Sequence, residues 1–409
     1  MHTPTLPPFL VDELIPARRS WRIAMVTETW PPEVNGVAMS VARLVDGLRA
    51  QDHYVQLVRP RQYQTQEATH HDGLSEVLTR GMRLPMYGQL RLGLPSKRAL
   101  VRLWTTQRPD LVHIATEGPL GWSALQAARK LGLPVCSDFR TNFHAYSQFY
   151  GMSWLCRPIN AYLRKFHNHC DATMVPTDAL RMQLAAEGFR SLSVVARGVD
   201  TTLFSPSRRS IELRRQWGVA DDAPVALHVG RLAPEKNLTV LVQAFTQLQR
   251  VQPGMRLIVV GDGPSRQDLQ ASCPQIVFAG FRAGEDLATH YASSDMFLFP
   301  SLTETYGNVT PEAMASGLAV VAFDDAAAAQ LIVHKTHGLL APKGDTVAFV
   351  HLSGDLAANP ARCRELGRCA RVRALELGWD AVVRKVEAIY AMAIARSSIP
   401  AQGLVWSAT

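Results

Sequence analysis

The sequence predicts an α/β protein in which two parallel-sheet domains follow one another along the chain. Short apolar runs typical of buried strands alternate with amphipathic helical stretches, and this alternation favours a doubly wound sheet. The chain has 409 residues, of which 47% are hydrophobic. That length exceeds one typical core and suits two domains of about 200 residues each.

The first predicted domain begins with a strand over Arg22 to Thr27, just after Trp21, followed by an amphipathic helix over Val37 to Leu48. Further strands of this half are predicted at 54–58, 110–115, 134–139, 172–175 and 193–196. The segment 62–94 is polar and contains glycines. We expect it to be rich in loops.

The second half repeats the alternation of strands and helices. Strands are predicted at 224–229, 256–260 and 296–299, with a short one ending at 280–281, and helices at 238–250, 345–357, 360–375 and 380–395. We therefore expect an N-terminal extension at 1–20, a first domain at 21–199, a linker at 200–222, a second domain at 223–378, a last helix at 379–397 and a tail at 398–409.

Charge narrows the class of binding partner. Residues 1–200 contain 23 Lys and Arg against 16 Asp and Glu, a net charge of +7, whereas residues 201–409 carry +1. A basic first half is typical of a protein that meets an anionic membrane surface, an acidic acceptor or nucleic acid. Aromatic-plus-basic RNA motifs and zinc-finger spacings are missing, so no nucleic-acid partner is expected.

Other features of the composition favour a cytoplasmic protein. The six cysteines show no metal-ligand spacing, which is consistent with reduced thiols. No apolar run approaches the ~20 residues that a bilayer-spanning helix needs. Residues 1–20 contain acidic side chains and lack a long apolar core, so they do not resemble a secretory signal.

The stretch 295–317 carries the strongest functional signal. A strand over Met296–Phe299 is followed by a polar loop with Gly307 and Asn308, and Thr310-Pro311-Glu312 then predicts a helix start with Thr310 as the cap. The backbone N–H groups at such a helix start favour a phosphate. Two carboxylates flank the loop.

These carboxylates, Glu304 and Glu312, suit hydrogen bonds from vicinal hydroxyls, so the loop as a whole suits a nucleotide sugar. Glu312 could instead serve only as part of the helix cap. Arg231 and Lys236 follow the strand predicted at 224–229. Their two positive charges suit a diphosphate, or the two residues are a solvated basic pair. Gly36, in the loop after the first strand, permits close approach of a ligand, or belongs to an ordinary turn.

The paired glutamates resemble a motif of the large retaining glycosyltransferase family 4. Four other segments resemble family motifs in the family's order: 27–36, 229–237, 259–264 and 280–281. The resemblance implies the GT-B fold, in which two Rossmann-like domains face a cleft and the last helix, from Trp379, crosses back to the first domain.

The resemblance also implies a reaction. A hexose, mannose or glucose, would pass from a GDP- or UDP-sugar to a hydroxyl with retention of configuration, without a tightly bound cofactor or a metal ion. Arg231 and Lys236 would stabilise the departing diphosphate, and Glu304 would hold the sugar. The residues implied in donor binding lie in the strand-end loops: Gly36, Gly230, Gly261, Phe281, Tyr306, Gly307, Asn308, Val309, Thr310 and Glu312.

One position departs from the family pattern. Many members have a histidine immediately before Thr141, where this chain has Arg140. The group nearest the reacting sugar is then either Arg140, as a fixed cation, or His144, which can change protonation near neutral pH. His113 lies within a predicted strand and is expected to be a satisfied core residue or a residue at the cleft edge.

The segments 27–36 and 141–151 are most similar to a branch with lipid acceptors, which includes GDP-mannose-dependent mannosyltransferases and sulfoquinovosyl transferases. With the basic first half, this similarity implies a lipid or glycan acceptor at the inner face of the cell membrane. The alternatives are a nucleotide-sugar epimerase or a sugar phosphorylase of similar architecture, and a non-catalytic nucleotide-sugar-binding protein.

Overall fold

The computed structural model of the protein describes residues 20–33, 35–63, 65–84, 87–140 and 156–398. Within these residues the chain forms two large sheets covered by helices, so the expected α/β class is confirmed. Almost all of the expected N-terminal extension and C-terminal tail lies outside them, as does His144.

The first large sheet comes from the first half of the chain. Its strands are β1 (Arg22–Val26), β2 (Tyr54–Pro60), β3 (His70–His71), β4 (Leu74–Thr79), β7 (Leu111–Ile114), β8 (Val135–Asp138), β9 (Ala172–Val175) and β10 (Leu192–Val194), while β5 (Gly81–Leu84) and β6 (Tyr87–Gly93) form a separate antiparallel pair. The described helices here are α1 (Gly36–Ala50), α2 (Lys97–Thr106), α3 (Pro119–Lys130), α4 (Cys156–His167) and α5 (Asp178–Ala186). The strand order is β10-β9-β8-β7-β1-β2-β4-β3. The neighbouring strands from β1 through β7, β8 and β9 to β10 all pair in parallel.

The second sheet is parallel throughout, in the order β13-β12-β11-β14-β15-β16. Its strands are β11 (Val225–Val229), β12 (Arg256–Val260), β13 (Val277–Gly280), β14 (Met296–Phe299), β15 (Ala319–Phe323) and β16 (Gly338–Ala341). The helices are α6 (Ile211–Gln216), α7 (Leu238–Val251), α8 (Arg266–Ser272), α9 (Gly284–Ala292), α10 (Val309–Ala315), α11 (Ala326–Leu331), α12 (Thr346–Ala357), α13 (Pro360–Leu375) and α14 (Trp379–Ser398). β14 is apolar along its length, and β11 is apolar except for His228, because both faces of a parallel sheet are buried.

Each sheet has a point at which the strand order reverses. The chain builds outward from β1 to β2 and β4 and then returns to β7 on the other side of β1. In the second sheet it builds outward from β11 and returns to β14. Ligands of such sheets bind beyond the carboxyl ends of the strands at this reversal. The loops after β1, β11 and β14 contain most of the residues predicted to bind the donor, while Gly261 and Phe281 follow β12 and β13.

The last helix, α14, packs on the first sheet and not on the second. Val383, Val386 and Tyr390 are buried in one apolar cluster with residues of β1 and α1. Gly47 of α1 makes this contact close, because a Cβ there would lie 2.4 Å from a methyl carbon of Val383. None of the described helices has the length and apolarity required to span a bilayer.

The expectation of loops over 62–94 is wrong for much of that segment, which contains β3 to β6. β4 pairs in parallel with β2 and extends the main sheet. Its apolar signal is weak because its one buried side chain is Glu76, while its other five side chains, Val77 among them, are only partly buried. Glu76 itself is buried through an ion pair with Arg59, at 2.9 Å.

Candidate active site

Two glycines bring the ends of β11 and β12 together at the floor of the cleft. Gly261 has a φ of +133°, and a Cβ at this position would lie 1.9 Å from the carbonyl oxygen of Gly230. Since only glycine allows this backbone conformation without strain, we expect any substitution of Gly261 to displace the loop after β11. That loop carries Arg231 and Lys236.

Lys236 and Glu304, predicted from separate motifs, are in direct contact. The Lys236 ammonium forms an ion pair with Oε1 of Glu304, whose side chain is 14% exposed. Ser301 donates a hydrogen bond of 2.8 Å to the same oxygen, and the ammonium lies 5.6 Å from the centre of the Phe299 ring. A cation and a carboxylate that were both predicted to bind the donor thus meet in the loops after β11 and β14.

His228 lies beneath this pair as a neutral side chain. Its Nδ1 lies 3.0 Å from the carbonyl oxygen of Leu298 and donates to it. Burial lowers the pKa of His228 to about 4, and the charge of Lys236 acts in the same direction. A neutral ring here adds no positive charge that would repel Lys236.

Arg231 is held less tightly than Lys236. Its side chain is 46% exposed, and NH1 lies 4.0 Å from Oε1 of the buried Glu235. An exposed guanidinium at this distance has room to contact a ligand, but a full turn would take its positive charge away from the buried Glu235 carboxylate. Arg231 and Lys236 are therefore placed to contact one anion from the same loop.

The helix after the paired-glutamate loop starts earlier than expected. Asn308, not Thr310, is the residue before the first turn, because Gly307 turns the chain with a φ of +88° and α10 begins at Val309. Thr310 is buried as the second helical residue. α10 has only seven residues, so its dipole is short and an anion at its start would depend mainly on Arg231 and Lys236.

Glu312 lies in α10 and accepts a hydrogen bond of 3.0 Å from the Tyr291 hydroxyl. Burial raises the pKa of the Glu312 carboxyl to about 7, although the bond from Tyr291 lowers it in part. Glu312 therefore changes charge near neutral pH. This property separates it from a simple exposed helix cap.

The side chains of Tyr306 and Phe281 differ in their access to the cleft. The Tyr306 ring is 1% exposed and its hydroxyl donates to the carbonyl oxygen of Arg197, at 3.2 Å, so this residue can offer a ligand only its backbone. Phe281 follows β13 and its ring is 59% exposed. An exposed ring at a strand end is available to stack on a base.

The first domain reaches the same loop through Gly36. A Cβ on Gly36 would lie 3.4 Å from the side-chain nitrogen of Asn308 and 3.6 Å from NH1 of Arg197. Asn35 caps α1 by accepting from the N–H groups of Val37 and Ala38. The loop after β1 therefore faces the start of α10 across the cleft.

Arg140 is fixed at the carboxyl end of β8 by a buried polar chain. Its Nε and NH2 lie 2.8 and 2.6 Å from one oxygen of Asp138, and Nε2 of His113 lies 2.8 Å from the same oxygen. Nδ1 of His113 contacts the hydroxyl of Tyr390 in α14. Burial alone would raise the pKa of Asp138, but Arg140 and His113 hold it well below its usual range. The expectation that His113 is a satisfied core residue is confirmed.

Arg197 is a cleft residue that the sequence analysis did not identify. Its guanidinium lies 5.9 Å from the centre of the Tyr306 ring, and NH1 lies 3.4 Å from the side-chain oxygen of Asn308. Burial lowers the pKa of Arg197 to about 10, and the positive charge of Arg140 contributes. The signal available in the sequence was an arginine directly after the strand predicted at 193–196.

Comparison with known proteins decides the family. A model described as Glycosyltransferase Family 4 matches residues 34–203, and one described as Glycosyl transferases group 1 matches residues 223–359. The GDP-mannose-dependent alpha-mannosyltransferase of Mycobacterium tuberculosis is 36% identical over 364 residues, 88% of this chain and 94% of that protein. The chain belongs to glycosyltransferase family 4. It is an enzyme that transfers a sugar.

Other relatives of this glycosyltransferase are consistent with the assignment. The sulfoquinovosyl transferase of Arabidopsis thaliana is 30% identical over 78% of this chain and 65% of that protein. Sucrose-phosphate synthase from Thermosynechococcus elongatus superposes with a TM-score of 0.74 at 20% identity, covering 92% of this chain and all of that one. HepE of Anabaena in complex with UDP gives 0.71 at 20% identity, with 91% and 100% covered. The GT-B fold is confirmed by these likenesses.

Proposed function

We propose that this glycosyltransferase moves mannose from GDP-mannose to a hydroxyl of a lipid acceptor at a membrane surface, with retention of configuration. The observation that carries the proposal is the similarity to GDP-mannose-dependent alpha-mannosyltransferases along almost the whole chain, at 36% identity in one case. The contact between Lys236 and Glu304 supports it, because donor diphosphate and donor sugar must bind side by side.

In the proposed mechanism the enzyme stabilises the leaving group. Cleavage of the bond to the sugar leaves negative charge on the diphosphate, and Arg231 and Lys236 bind this charge more strongly as it develops. Glu304 accepts hydrogen bonds from the sugar hydroxyls. Glu312 accepts hydrogen bonds from the ribose hydroxyls in its ionised form.

Retention follows in this proposal from attack on the face that the diphosphate leaves. A retaining glycosidase instead uses a carboxylate nucleophile beside a carboxylic acid. Here Glu304 is paired with Lys236, and Glu312 is bonded to Tyr291. The departing phosphate oxygen would take the proton of the acceptor hydroxyl, so this step requires no further base from the protein and no metal ion.

The test is transfer of radiolabelled mannose from GDP-mannose to bacterial membrane lipids, followed by digestion of the product with α- and β-mannosidase. We expect a labelled lipid product from which α-mannosidase, and not β-mannosidase, releases the mannose. Label in the lipid fraction with UDP-glucose but not with GDP-mannose would contradict the donor assignment. Release by β-mannosidase would contradict retention.

A further inference from the structure

Two guanidinium groups lie together on the first-domain side of the cleft, apart from the loop that holds Arg231 and Lys236. Arg140 and Arg197 line one cavity of about 30 Å³ at the carboxyl edge of the first sheet, which Trp379 of α14 also lines. Asp138 is the acidic residue of this lining. We call the two arginines the arginine pair.

The arginine pair carries one more positive charge than its surroundings neutralise. Asp138 is bound to Arg140 through both Nε and NH2. Among the described residues, no carboxylate oxygen lies within 4.0 Å of Arg197, whose contacts are the Asn308 amide and the Tyr306 ring. The carboxylate of Glu304, in the donor loop, is already paired with Lys236. Two cations thus share one carboxylate.

Like charges at a partly buried place destabilise each other unless an anion joins them. The guanidinium fork suits the two oxygens of an oxyacid group, which it binds through paired hydrogen bonds. One uncompensated charge matches a group with a single negative charge. Arg140 is tied through Asp138 and His113 to Tyr390 and so belongs to the first domain. Arg197 follows the last strand of the first sheet and also contacts Asn308 and Tyr306 of the second domain.

We propose that Arg140 and Arg197 bind a singly charged oxyacid group of a substrate, a carboxylate, sulfonate or phosphodiester, at a position separate from the donor diphosphate. The inference rests on the proposed function, because it assigns a further feature of the substrates that the same cleft takes. The group lies either on the acceptor or on the transferred hexose. Both sources present the same chemistry to the arginine pair.

Matched ligands that differ only at one carboxylate distinguish the two sources. For the acceptor, octyl glucuronide is compared with octyl glucoside on protein saturated with GDP. For the donor, GDP-mannuronate is compared with GDP-mannose. Dissociation constants are measured by calorimetry with the wild type, Arg140→Gln, Arg197→Gln and the control Arg129→Gln, which removes an exposed charge at the far end of α3.

We expect the wild type and Arg129→Gln to bind the carboxylate member of one ligand pair about tenfold more tightly, the scale of one charge-assisted hydrogen-bonded contact. Arg140→Gln and Arg197→Gln should each remove this preference, and each should weaken GDP binding far less than Lys236→Ala does. Preference in the alkyl glycosides places the group on the acceptor. Preference in the GDP-sugars places it on the hexose.

Three results would overturn the inference. The first is a wild type that shows no preference in either ligand pair, a result that does not depend on any variant being folded. The second is a preference that survives both substitutions in variants that thermal unfolding shows to be folded. The third is an Arg197→Gln variant that weakens GDP binding by as much as Lys236→Ala does, which would assign Arg197 to the diphosphate. Normal mannose transfer without any preference contradicts only this inference, whereas failure to bind GDP contradicts the proposed function as well.

Discussion

Lys236 and Glu304 neutralise each other at a place where both side chains are nearly buried, 11% and 14% exposed. A buried charge without a partner is costly, so the pair is stable only as a pair or when a ligand supplies new partners for both. A sugar diphosphate does so, because its phosphate oxygens suit the ammonium and its hydroxyls suit the carboxylate. Donor binding is therefore an exchange of partners within one small group of residues.

Replacement of Lys236 by alanine should lower kcat/KM for GDP-mannose roughly 100- to 1,000-fold, the effect of removing one group that stabilises developing charge. The loss should appear in steady-state transfer assays. Lys130→Ala removes an exposed lysine at the opposite edge of the first sheet and serves as the control. Wild-type turnover in Lys236→Ala would refute the role assigned to this residue.

Glu312 should make nucleotide binding depend on pH. Burial raises the pKa of its carboxyl to about 7, and only the ionised form accepts hydrogen bonds from both ribose hydroxyls. The affinity for GDP should therefore rise as pH increases from about 6 to about 8. The terminal phosphate of GDP titrates in a similar range, so the measured quantity is the difference between wild type and Glu312→Gln. Parallel pH profiles would count against the assignment.

The same carboxyl should affect stability with a definite sign. Its pKa in the folded protein, about 7, lies above its ordinary value of 4.5, so the folded state binds the proton more tightly than the unfolded state. Its contribution to stability is then lost as pH rises from about 4.5 to about 7. At pH 8 the neutral Glu312→Gln should gain stability over wild type, by at most about 3.5 kcal/mol at about 1.4 kcal/mol per pKa unit. At pH 4.5 chemical denaturation should show little of this gain.

The contact between Lys236 and Glu304 was predictable from sequence, whereas only Arg140 of the arginine pair was singled out as a candidate. Lys236 and Glu304 each follow a clear apolar strand, and the carboxyl ends of adjacent parallel strands must lie side by side. Arg197 follows a short strand whose side chains are only partly buried, and its contact with Tyr306 joins residues 109 positions apart. No local pattern predicts such a contact, because it arises from the way in which the two domains meet.

At the scale of whole elements, α14 holds the first domain through a close contact with α1. Gly47→Ala should destabilise the protein by roughly 1–3 kcal/mol, the usual cost of overpacking, even though alanine favours a helix. Val383→Ala should recover part of this loss, because it removes the methyl group that the new Cβ would meet. Denaturant midpoints of the two single variants and the double variant give the coupling.

Gly254→Ala is the matched control for this experiment, since a Cβ there would have no neighbour within 4 Å. It should leave the midpoint nearly unchanged. Additive effects of Gly47→Ala and Val383→Ala would mean that the two residues do not constrain each other.

The bounds of a helix or strand could be predicted from sequence where a single clear local signal marks its start. α13 was expected at 360–375 and spans Pro360–Leu375, because Asn359 and Pro360 mark its start clearly. The start of α10 was predicted wrongly, because Thr310 and Pro311 are typical of a first turn while Gly307 had already reversed the chain. The strands of 62–94 were missed because they lie toward the edge of the first sheet or in a separate pair, and β4 has only one buried side chain, Glu76.

At the scale of the molecule, charge is divided unequally between the halves of the chain. Three exposed cations of α4, Arg157, Arg164 and Lys165, contribute to the +7 of residues 1–200. We expect the protein to sediment with phosphatidylglycerol vesicles at low salt and to be released at about 1 M salt, where charges are screened beyond about 3 Å. Vesicles of phosphatidylcholine should not bind it.

Reversal of these three charges to glutamate would reduce the first half to +1 and should abolish sedimentation. The same reversal of Arg362, Arg364 and Arg368, which are exposed on α13, changes the total charge equally but leaves the first half at +7. Equal loss in both variants would show that only total charge matters. If both variants still sediment with the vesicles, the membrane affinity does not depend on the basic first half.

The return of α14 to the first sheet has a consequence for synthesis on the ribosome. The first sheet and α1 are translated early, yet the apolar cluster that includes Ile23, Val41 and Leu48 is completed only by Val383 and Tyr390. The nascent first domain must therefore wait, with that surface uncovered, while the entire second domain is made. A fragment that ends before residue 379 should be prone to aggregation, and a separate peptide of residues 379–398 should reduce it. Translation order and folding order are opposed in this chain.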